Sequence, residues 1–159
     1  MRRFNIRFHE DVQPLPAYVL LPPKSATRLQ RGDVSARGGC QRDVTAQGGR
    51  APVLPIGYVC RNITMAQFAE RLPDMAQAYI DRDVIDATGL DGVWDFSLHW
   101  APKSAFAPNS PADGAGASDP NGAVTLFEAV EKELGLKLEL QKQPRRVIVI
   151  DAAERSPQP

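Results

Sequence analysis

The sequence predicts an α+β fold in which a mainly antiparallel sheet carries two helices on one face. Three features of the 159-residue chain lead to this prediction. A capped amphipathic helix begins after Thr64, a strictly alternating strand ends at Trp100, and a second capped helix begins after Thr125. Apolar strands follow each helix, so a helix–strand–strand unit occurs twice. The repeat is either a structural duplication or a coincidence of short patterns.

The first helix has a clear start signal. Thr64 and Gln67 have the spacing of a capping box, in which each side chain satisfies an unpaired backbone N–H group. The apolar residues recur at helical spacing and define one buried face: Met65, Phe68, Leu72, Met75 and Tyr79. Pro73 removes a backbone hydrogen bond and clashes with the preceding turn, so we expect a kink or two short helices.

Two strands are predicted after the first helix. Val84-Ile85 is a short apolar run, and residues 86–89 have turn composition. Four large apolar residues then alternate with polar ones, as in a strand with one buried face: Trp94, Phe96, Leu98 and Trp100.

The second unit is predicted in the same way. Thr125 and Glu128 form the second capping box, and strands are expected at residues 136–141 and 147–150, joined by a turn at 143–145. The fully apolar run Val147–Ile150 is typical of a central strand. At the amino end, strands at residues 3–9 and 17–21 are expected to pair through a turn at 10–16.

The length favours one α+β domain over residues 1–151. Residues 24–57 and 101–122 lack periodicity and are predicted to be long flexible loops. The second of these is built mostly from small and polar residues, which bury too little apolar surface to offset the entropy of ordering. We expect residues 152–159 to be a disordered tail.

Composition excludes several functional classes. Lys+Arg and Asp+Glu balance at 19 each, so net charge gives no argument for nucleic-acid or membrane binding. No run approaches the ~20 apolar residues of a membrane span, and residues 1–3 lead into a strand pattern without a signal peptide. Two cysteines and two histidines are too few for a disulfide scaffold or a structural metal site. We therefore predict no metal and no cofactor.

Several segments resemble a soil-associated acidobacterial family of unknown function. They are ITMAQFA at 63–69, VIDATGL at 84–90, WDFSLHW at 94–100, LFEAV at 126–130, LGLKL at 134–138 and VIVID at 147–151. Members of that family typically carry a secretion signal and an additional amino-terminal half. The resemblance thus implies an extracytoplasmic protein, periplasmic or secreted, and a chain that is a fragment, a short variant or one with a mis-called start.

The same resemblance bears on function. Some family members are fused to membrane-bound sensor peptidases, which implies sensing or docking outside the cytoplasm, and no catalytic residues are assigned to the family. At the level of fold alone, the helix–strand–strand unit resembles the small amino-terminal docking domains of secretins and TonB-dependent receptors.

Cys40 and Cys60, the two cysteines of the chain, could form a structural disulfide. A disulfide between them would close a loop of about 20 residues and contribute ~3 kcal/mol in the chain-entropy model, provided that the compartment is oxidising. Two unrelated free thiols are the alternative. Neither His9 nor His99 is placed to form a cysteine–histidine catalytic pair, because both lie on predicted solvated strand faces.

These observations favour a non-enzymatic protein-binding, docking or sensing module with a protein of the cell envelope as its partner. The first alternative is a hydrolase that uses carboxylates near Asp86, together with Asp95 or Asp151. The second is a cytoplasmic nucleic-acid binder that uses the basic loop 24–50, although this loop has no aromatic residues for base stacking. Neither the ligand nor the oligomeric state follows from the sequence.

Overall fold

In the part of the chain that the structure describes, the fold consists of two β-sheets and two helical segments, and the predicted α+β class is confirmed. The structure, a computed structural model, describes residues 4–45, 54–106 and 123–155. Its elements are β1 (Phe4–Leu21), β2 (Gln30–Arg31), β3 (Gly39–Arg42), β4 (Ile56–Ile63), α1 (Met65–Met75), β5 (Val84–Asp86), β6 (Trp94–Trp100), α2 (Leu126–Ala129) and β7 (Lys137–Arg155). A 3₁₀ turn covers Lys103–Ala105, and a π-helical turn, Val130–Leu134, continues α2.

The strands form one three-stranded and one four-stranded sheet. The first has the order β5-β1-β7, and the second the order β2-β6-β4-β3. The second sheet is antiparallel, whereas β1 and β5 pair in parallel, with Tyr18 beside Val84 and Leu20 beside Asp86. The second strand of the predicted first unit, β6, therefore does not pair with β5 but belongs to the other sheet.

The chain divides into two compact units. The first, which we call the ribbon, consists of residues 4–17 of β1 and 141–155 of β7 among the described residues. The second, which we call the body, consists of residues 18–140 and contains the second sheet and the helices. Each long strand contributes one part to each unit.

The first helix forms as its sequence predicts. The Thr64 hydroxyl accepts a hydrogen bond from the Gln67 N–H at 3.1 Å, and the Gln67 side chain accepts one from the Thr64 N–H at 3.0 Å. Pro73 lies inside the helix, which ends two residues later at Met75. Because Pro73 has no N–H group, the carbonyl oxygen of Ala69 lacks its usual helical hydrogen bond.

The predicted apolar faces form the core of the body. Phe68 of α1 packs edge to face on Phe96 of β6, with ring centroids 4.9 Å apart. All four apolar residues of the alternating strand β6 are buried, and the polar residues between them are not. The apolar face of the helix and the apolar face of the strand thus pack together in one cluster, because each needs a partner to be buried.

The predicted amino-terminal hairpin is wrong, because β1 is one continuous strand. Pro14 and Pro16 lie within β1 and not in a turn. The pairing of β1 with β5 begins only at Tyr18, so on that side the preceding residues have no paired strand in the described structure. Proline is tolerated at such an edge because no N–H is needed there.

The predicted carboxy-terminal hairpin is also wrong, and with it the helix–strand–strand repeat. β7 runs without a turn through Pro144 and continues to Arg155, well into the predicted tail. The apolar run Val147–Ile150 lies in an outer strand of the sheet rather than in a central one. Pairing with β1, more than a hundred residues away, keeps the chain extended where local composition indicates a turn.

The predicted loops are only partly loops. The stretch 24–57 contains β2, β3 and the start of β4, and both short strands pair in the second sheet. The stretch 101–122 begins with the 3₁₀ turn, and its residues 107–122 lie outside the described residues, as do 156–159 of the predicted tail.

Candidate functional site

The two faces of the ribbon differ in chemistry. The His9 Nδ1 atom lies 2.9 Å from the Asp151 carboxylate, which places these two side chains on one face. Neighbouring side chains of a strand point to opposite faces, so Phe8 and Ile150 lie on the other face. Ile6 and Ile148, two residues further along, share that second face, which we call the apolar face.

The apolar face is largely solvent-exposed. Ile6 is 52 % exposed, Phe8 60 %, Ile148 66 % and Ile150 62 %. Isolated exposed apolar residues are common on protein surfaces, but a contiguous set is typical of an interaction site. The ribbon therefore presents an apolar surface that its own unit leaves uncovered.

The apolar face continues into a basic end along β7. Lys142 and Arg146 are exposed and have the same strand parity as Ile148 and Ile150, so alternation places all four side chains on one face. By the same alternation Glu10 of β1 also lies on this face, so the positive charge is confined to the end of the face formed by residues 142–146.

A second feature is a cleft in the body with a volume of about 940 Å³. Elements far apart in sequence contribute to its wall: β1, the turn after α1, α2 and the first residues of β7. Its aromatic side chains are Tyr18, Tyr79 and Phe127, with Phe127 5.9 Å from Tyr18 and 6.2 Å from Tyr79 between ring centroids. This volume lies within the range of small-molecule sites, roughly 300–1,000 Å³.

Glu128 of α2 lines this cleft and is only 8 % exposed. The sequence assigns it to a second capping box, but only half of that box is present: the Thr125 hydroxyl accepts from the Glu128 N–H at 3.2 Å. The Glu128 side chain is buried instead, and its Oε2 atom accepts no hydrogen bond. A buried polar atom without a partner costs free energy, and native structures contain few.

The two tyrosines beside Glu128 donate elsewhere. The Tyr18 hydroxyl donates to the Tyr79 carbonyl oxygen at 3.2 Å, and the Tyr79 hydroxyl donates to the Ala101 carbonyl oxygen at 2.7 Å. Burial and the negative charge of Glu128 raise the pKa of Tyr79 to about 12, which keeps that phenol protonated. The aromatic wall therefore leaves the carboxylate oxygen without a donor.

His99 is the centre of a second polar cluster. Its Nε2 atom lies 2.8 Å from the Asp43 carboxylate, its Nδ1 atom lies 3.3 Å from Glu133, and its backbone N–H donates to Glu133 at 2.6 Å. Burial lowers the pKa of His99, but the Asp43 hydrogen bond and the Glu133 charge outweigh it, so the pKa is raised. Hydrogen bonds from the Thr45 side chain and from His99 lower the pKa of Asp43 to about 2.

This cluster does not have the geometry of a nucleophilic site. Both ring nitrogens of His99 face carboxylates, so neither is directed at a hydroxyl or thiol. Residues 43, 99 and 133 come from three separate parts of the chain, so no local sequence pattern indicates that they form a cluster. Its evident role is to fasten the end of β3 and the π-helical turn to β6.

Cys40 and Cys60 stand directly opposite each other in the β3–β4 pair, and the structure joins them by a disulfide. Cys60 is buried in the core, whereas Cys40 lies at its margin. The bond thus fastens the outer strand of the second sheet to its neighbour. The oxidation state of the pair in the native compartment stays a prediction.

The three carboxylates predicted for a hydrolase each make a separate local contact. Asp86 accepts hydrogen bonds from the Thr88 N–H and hydroxyl at 3.0 and 2.7 Å. Asp95 accepts from the Asn62 N–H at 2.8 Å, and Asp151 pairs with His9. Each contact is that of a structural group, and the hydrolase reading gains no support from them.

Asn62 helps to fix the conformation of the loop around β2 and β3. It has a positive φ of 52° at an irregularity of the β4–β6 pairing, and its side-chain oxygen accepts from the Asp33 N–H at 2.7 Å. Gly38 lies so close to the Asn62 carbonyl that an added Cβ would clash with it. The loop around β2 and β3 is therefore shaped by packing on β4.

Several arginines of the predicted basic loop bind the protein itself. Arg31 stacks on Trp94 at 4.5 Å, Arg42 lies over Tyr58 at 5.6 Å, and Arg28 donates to the Lys132 carbonyl oxygen at 2.6 Å. These contacts hold the cations against the body, which does not favour their use as phosphate contacts.

Among the described residues, no helix is long and apolar enough to cross a membrane. Within the same residues, no group of three or more His, Cys, Asp or Glu side chains has the geometry to hold a metal ion.

Comparison with models of known protein families identifies the family of this chain. The family model described as "Protein of unknown function (DUF3738)" matches residues 1–153. No curated protein and no solved structure matches the chain. The predicted resemblance is thus confirmed at the level of an uncharacterised family, while its acidobacterial origin stays a prediction.

Proposed function

Since this chain belongs to the DUF3738 family of proteins of unknown function, we propose its role from its geometry: it is a non-enzymatic docking module. The docking surface is the apolar face of the ribbon. The occupant is an extended segment of another protein, with apolar residues at alternate positions and acidic residues beside them.

The exposed side chains of the apolar face carry the proposal. Full burial of a large apolar side chain contributes about 1.5–3 kcal/mol. Ile6, Phe8, Ile148 and Ile150 are each more than half exposed. Covering all four would thus contribute about 5 kcal/mol before the costs of association. This is enough to support a specific contact when hydrogen bonds and charges add to it.

The ribbon also supports recognition through the backbone. β7 is an outer strand of its sheet, so one of its edges faces no other described strand. Such an edge has backbone groups that can pair with an added strand, the mode of binding known as β-augmentation. Alternating pockets and side chains then select the sequence of the added segment.

Charge determines the kind of segment that fits. Lys142 and Arg146 are exposed beside the apolar part of the same face. A segment with acidic residues in this position would gain complementary charge, which favours the correct partner and register. The proposed partner is therefore acidic next to its apolar residues.

We place this docking outside the cytoplasm. Disulfides persist in oxidising compartments and are rare in the cytosol, so the Cys40–Cys60 bond supports a periplasmic or secreted protein. The envelope-protein partner inferred from the family resemblance is consistent with that location.

The test uses the full chain as bait in a solubilised envelope fraction. The variant Ile148→Glu/Ile150→Glu places two negative charges on the apolar face, and His9→Gln on the opposite face is the control. A captured protein supports the proposal if it binds the purified chain directly, loses at least about tenfold in affinity with the double variant, and keeps its affinity with His9→Gln. A captured set that is the same for all three proteins would overturn the proposal.

A further inference from the structure

The cleft around Glu128 has a chemistry of its own, which does not depend on docking by the ribbon. Its lining residues all belong to the body. We propose that this cleft binds a small organic cation, a protonated primary amine on an apolar or aromatic body.

The first argument is the unsatisfied carboxylate oxygen. Glu128 is more than nine-tenths buried, and its Oε2 atom accepts no hydrogen bond. Buried charges are normally paired, because an unpaired one loses its hydration without compensation. A ligand ammonium supplies both a positive charge and up to three donors. It is the group that the site lacks.

The second argument is that the donors of the aromatic wall and of the Glu128 backbone are committed to other acceptors. The hydroxyls of Tyr18 and Tyr79 donate to backbone carbonyl oxygens, and the Glu128 N–H donates to Thr125. The carboxylate can still turn towards a ligand, since the terminal torsion of glutamate is broad and nearly two-fold. A ligand ammonium therefore supplies the donor that neither the two tyrosines nor the Glu128 backbone provides.

The third argument is the aromatic wall. Phe127 stands between Tyr18 and Tyr79, with both ring contacts within about 6 Å. Aromatic faces attract organic cations and also pack on apolar groups. A ligand with an ammonium next to an apolar body meets both parts of the cleft at once, which a metal ion or an inorganic anion does not.

The rim of the cleft carries charges of both signs, and some of them pair with each other. Arg82 lies 3.3 Å from Asp81, and Lys137 lies 3.2 Å from Glu139. The other charged residues of the rim are also of both signs, with basic ones in excess, so the rim itself gives no preference for a cation. Selectivity for the amine is therefore assigned to the buried carboxylate rather than to the mouth of the cleft.

The test compares three probes with the same aromatic ring: 2-phenylethylamine, 2-phenylethanol and 3-phenylpropanoate. Binding to the full chain is followed by amide chemical-shift changes at Tyr79 and Phe127. The amine should bind at least about tenfold more tightly than the alcohol, because a charge-assisted hydrogen bond adds to the shared apolar contact. The carboxylate should bind more weakly than either.

Glu128→Gln keeps the shape of the side chain and the backbone bond to Thr125 but removes the charge. It should reduce the affinity for the amine to that for the alcohol, while weak binding of the alcohol persists and shows that the cleft is intact. Glu70→Gln, at an exposed carboxylate of α1, is the matched control and should change nothing. Equal binding of amine and alcohol, an amine preference that survives in Glu128→Gln, or no binding at millimolar concentration would each overturn the proposal.

Discussion

Loss of the Cys40–Cys60 bond should destabilise the body by an amount that follows from its position in the chain. The two cysteines are 20 residues apart, and they face each other in the β3–β4 pair. For a loop of that length the chain-entropy model gives a stabilisation of about 3 kcal/mol at 25 °C. In a chain of this size the same change corresponds to about 6–12 °C in Tm.

The assay is denaturant unfolding of the oxidised protein, the reduced protein and the variant Cys40→Ala/Cys60→Ala. Trp94 and Trp100 both lie in the core of the body, so tryptophan fluorescence follows this unit. Reduction should lower the free energy of unfolding and increase the m-value, because the unfolded chain expands when the cross-link is opened. The alanine variant should lose somewhat more than the reduced protein, since Cys60 is fully buried and its sulfur fills core volume.

Two outcomes would refute the reasoning. If reduction changes the unfolding free energy by less than about 0.5 kcal/mol, the bond does not restrict the unfolded chain as the model requires. If the m-value stays the same while stability falls, the effect arises from the folded state instead.

Three further predictions concern other contacts of the body. The pKa of His99 is raised in the fold, so protonation of this residue should stabilise the folded state. This contribution to the free energy of unfolding should be fully present below the unfolded pKa of about 6.5 and lost as the pH rises through the folded pKa. His99→Gln should flatten this part of the stability–pH profile. Gly38→Ala should lower the free energy of unfolding by more than about 1 kcal/mol, because its Cβ would clash with the Asn62 carbonyl. Gly39→Ala has open space around its Cβ and should change the free energy of unfolding by no more than about 0.5 kcal/mol. Thr64→Ala should remove about 1 kcal/mol from the unfolding free energy through loss of the helix cap, and no change would contradict the role of the capping box.

The features that the sequence predicted correctly depend on neighbours in the chain. The Thr64 capping box needs only residues three apart, and the buried face of β6 follows from alternation over seven residues. Both patterns are complete within one element, so no knowledge of the fold was needed to recognise them.

The incorrect predictions concern residues whose partners are distant. Pro14 and Pro144 have the local composition of turns, but pairing between β1 and β7 keeps both segments extended. The carboxylates on either side of His99 come from residues 56 and 34 positions away. Local signals cannot show such pairs, because tertiary contacts outweigh turn propensity.

Glu128 shows a different limit of prediction from sequence. Its spacing from Thr125 matches a capping box, and the backbone half of that motif is present. Burial beside Tyr79 places the carboxylate elsewhere, and only the packed structure shows that its oxygen lacks a donor. The motif correctly located the start of the helix but did not indicate that the Glu128 side chain is buried in the wall of the cleft.

The most direct test of docking by the ribbon is site-specific photo-crosslinking from the apolar face. Phe8 is replaced by p-benzoylphenylalanine in the full chain, the protein is expressed in its native host, and cross-linked peptides are mapped by mass spectrometry. We predict adducts with an extended segment of a different protein that alternates apolar and acidic residues, and their loss in Ile148→Glu/Ile150→Glu. Adducts only with a second copy of this chain, or none that depend on the apolar face, would contradict the proposed function.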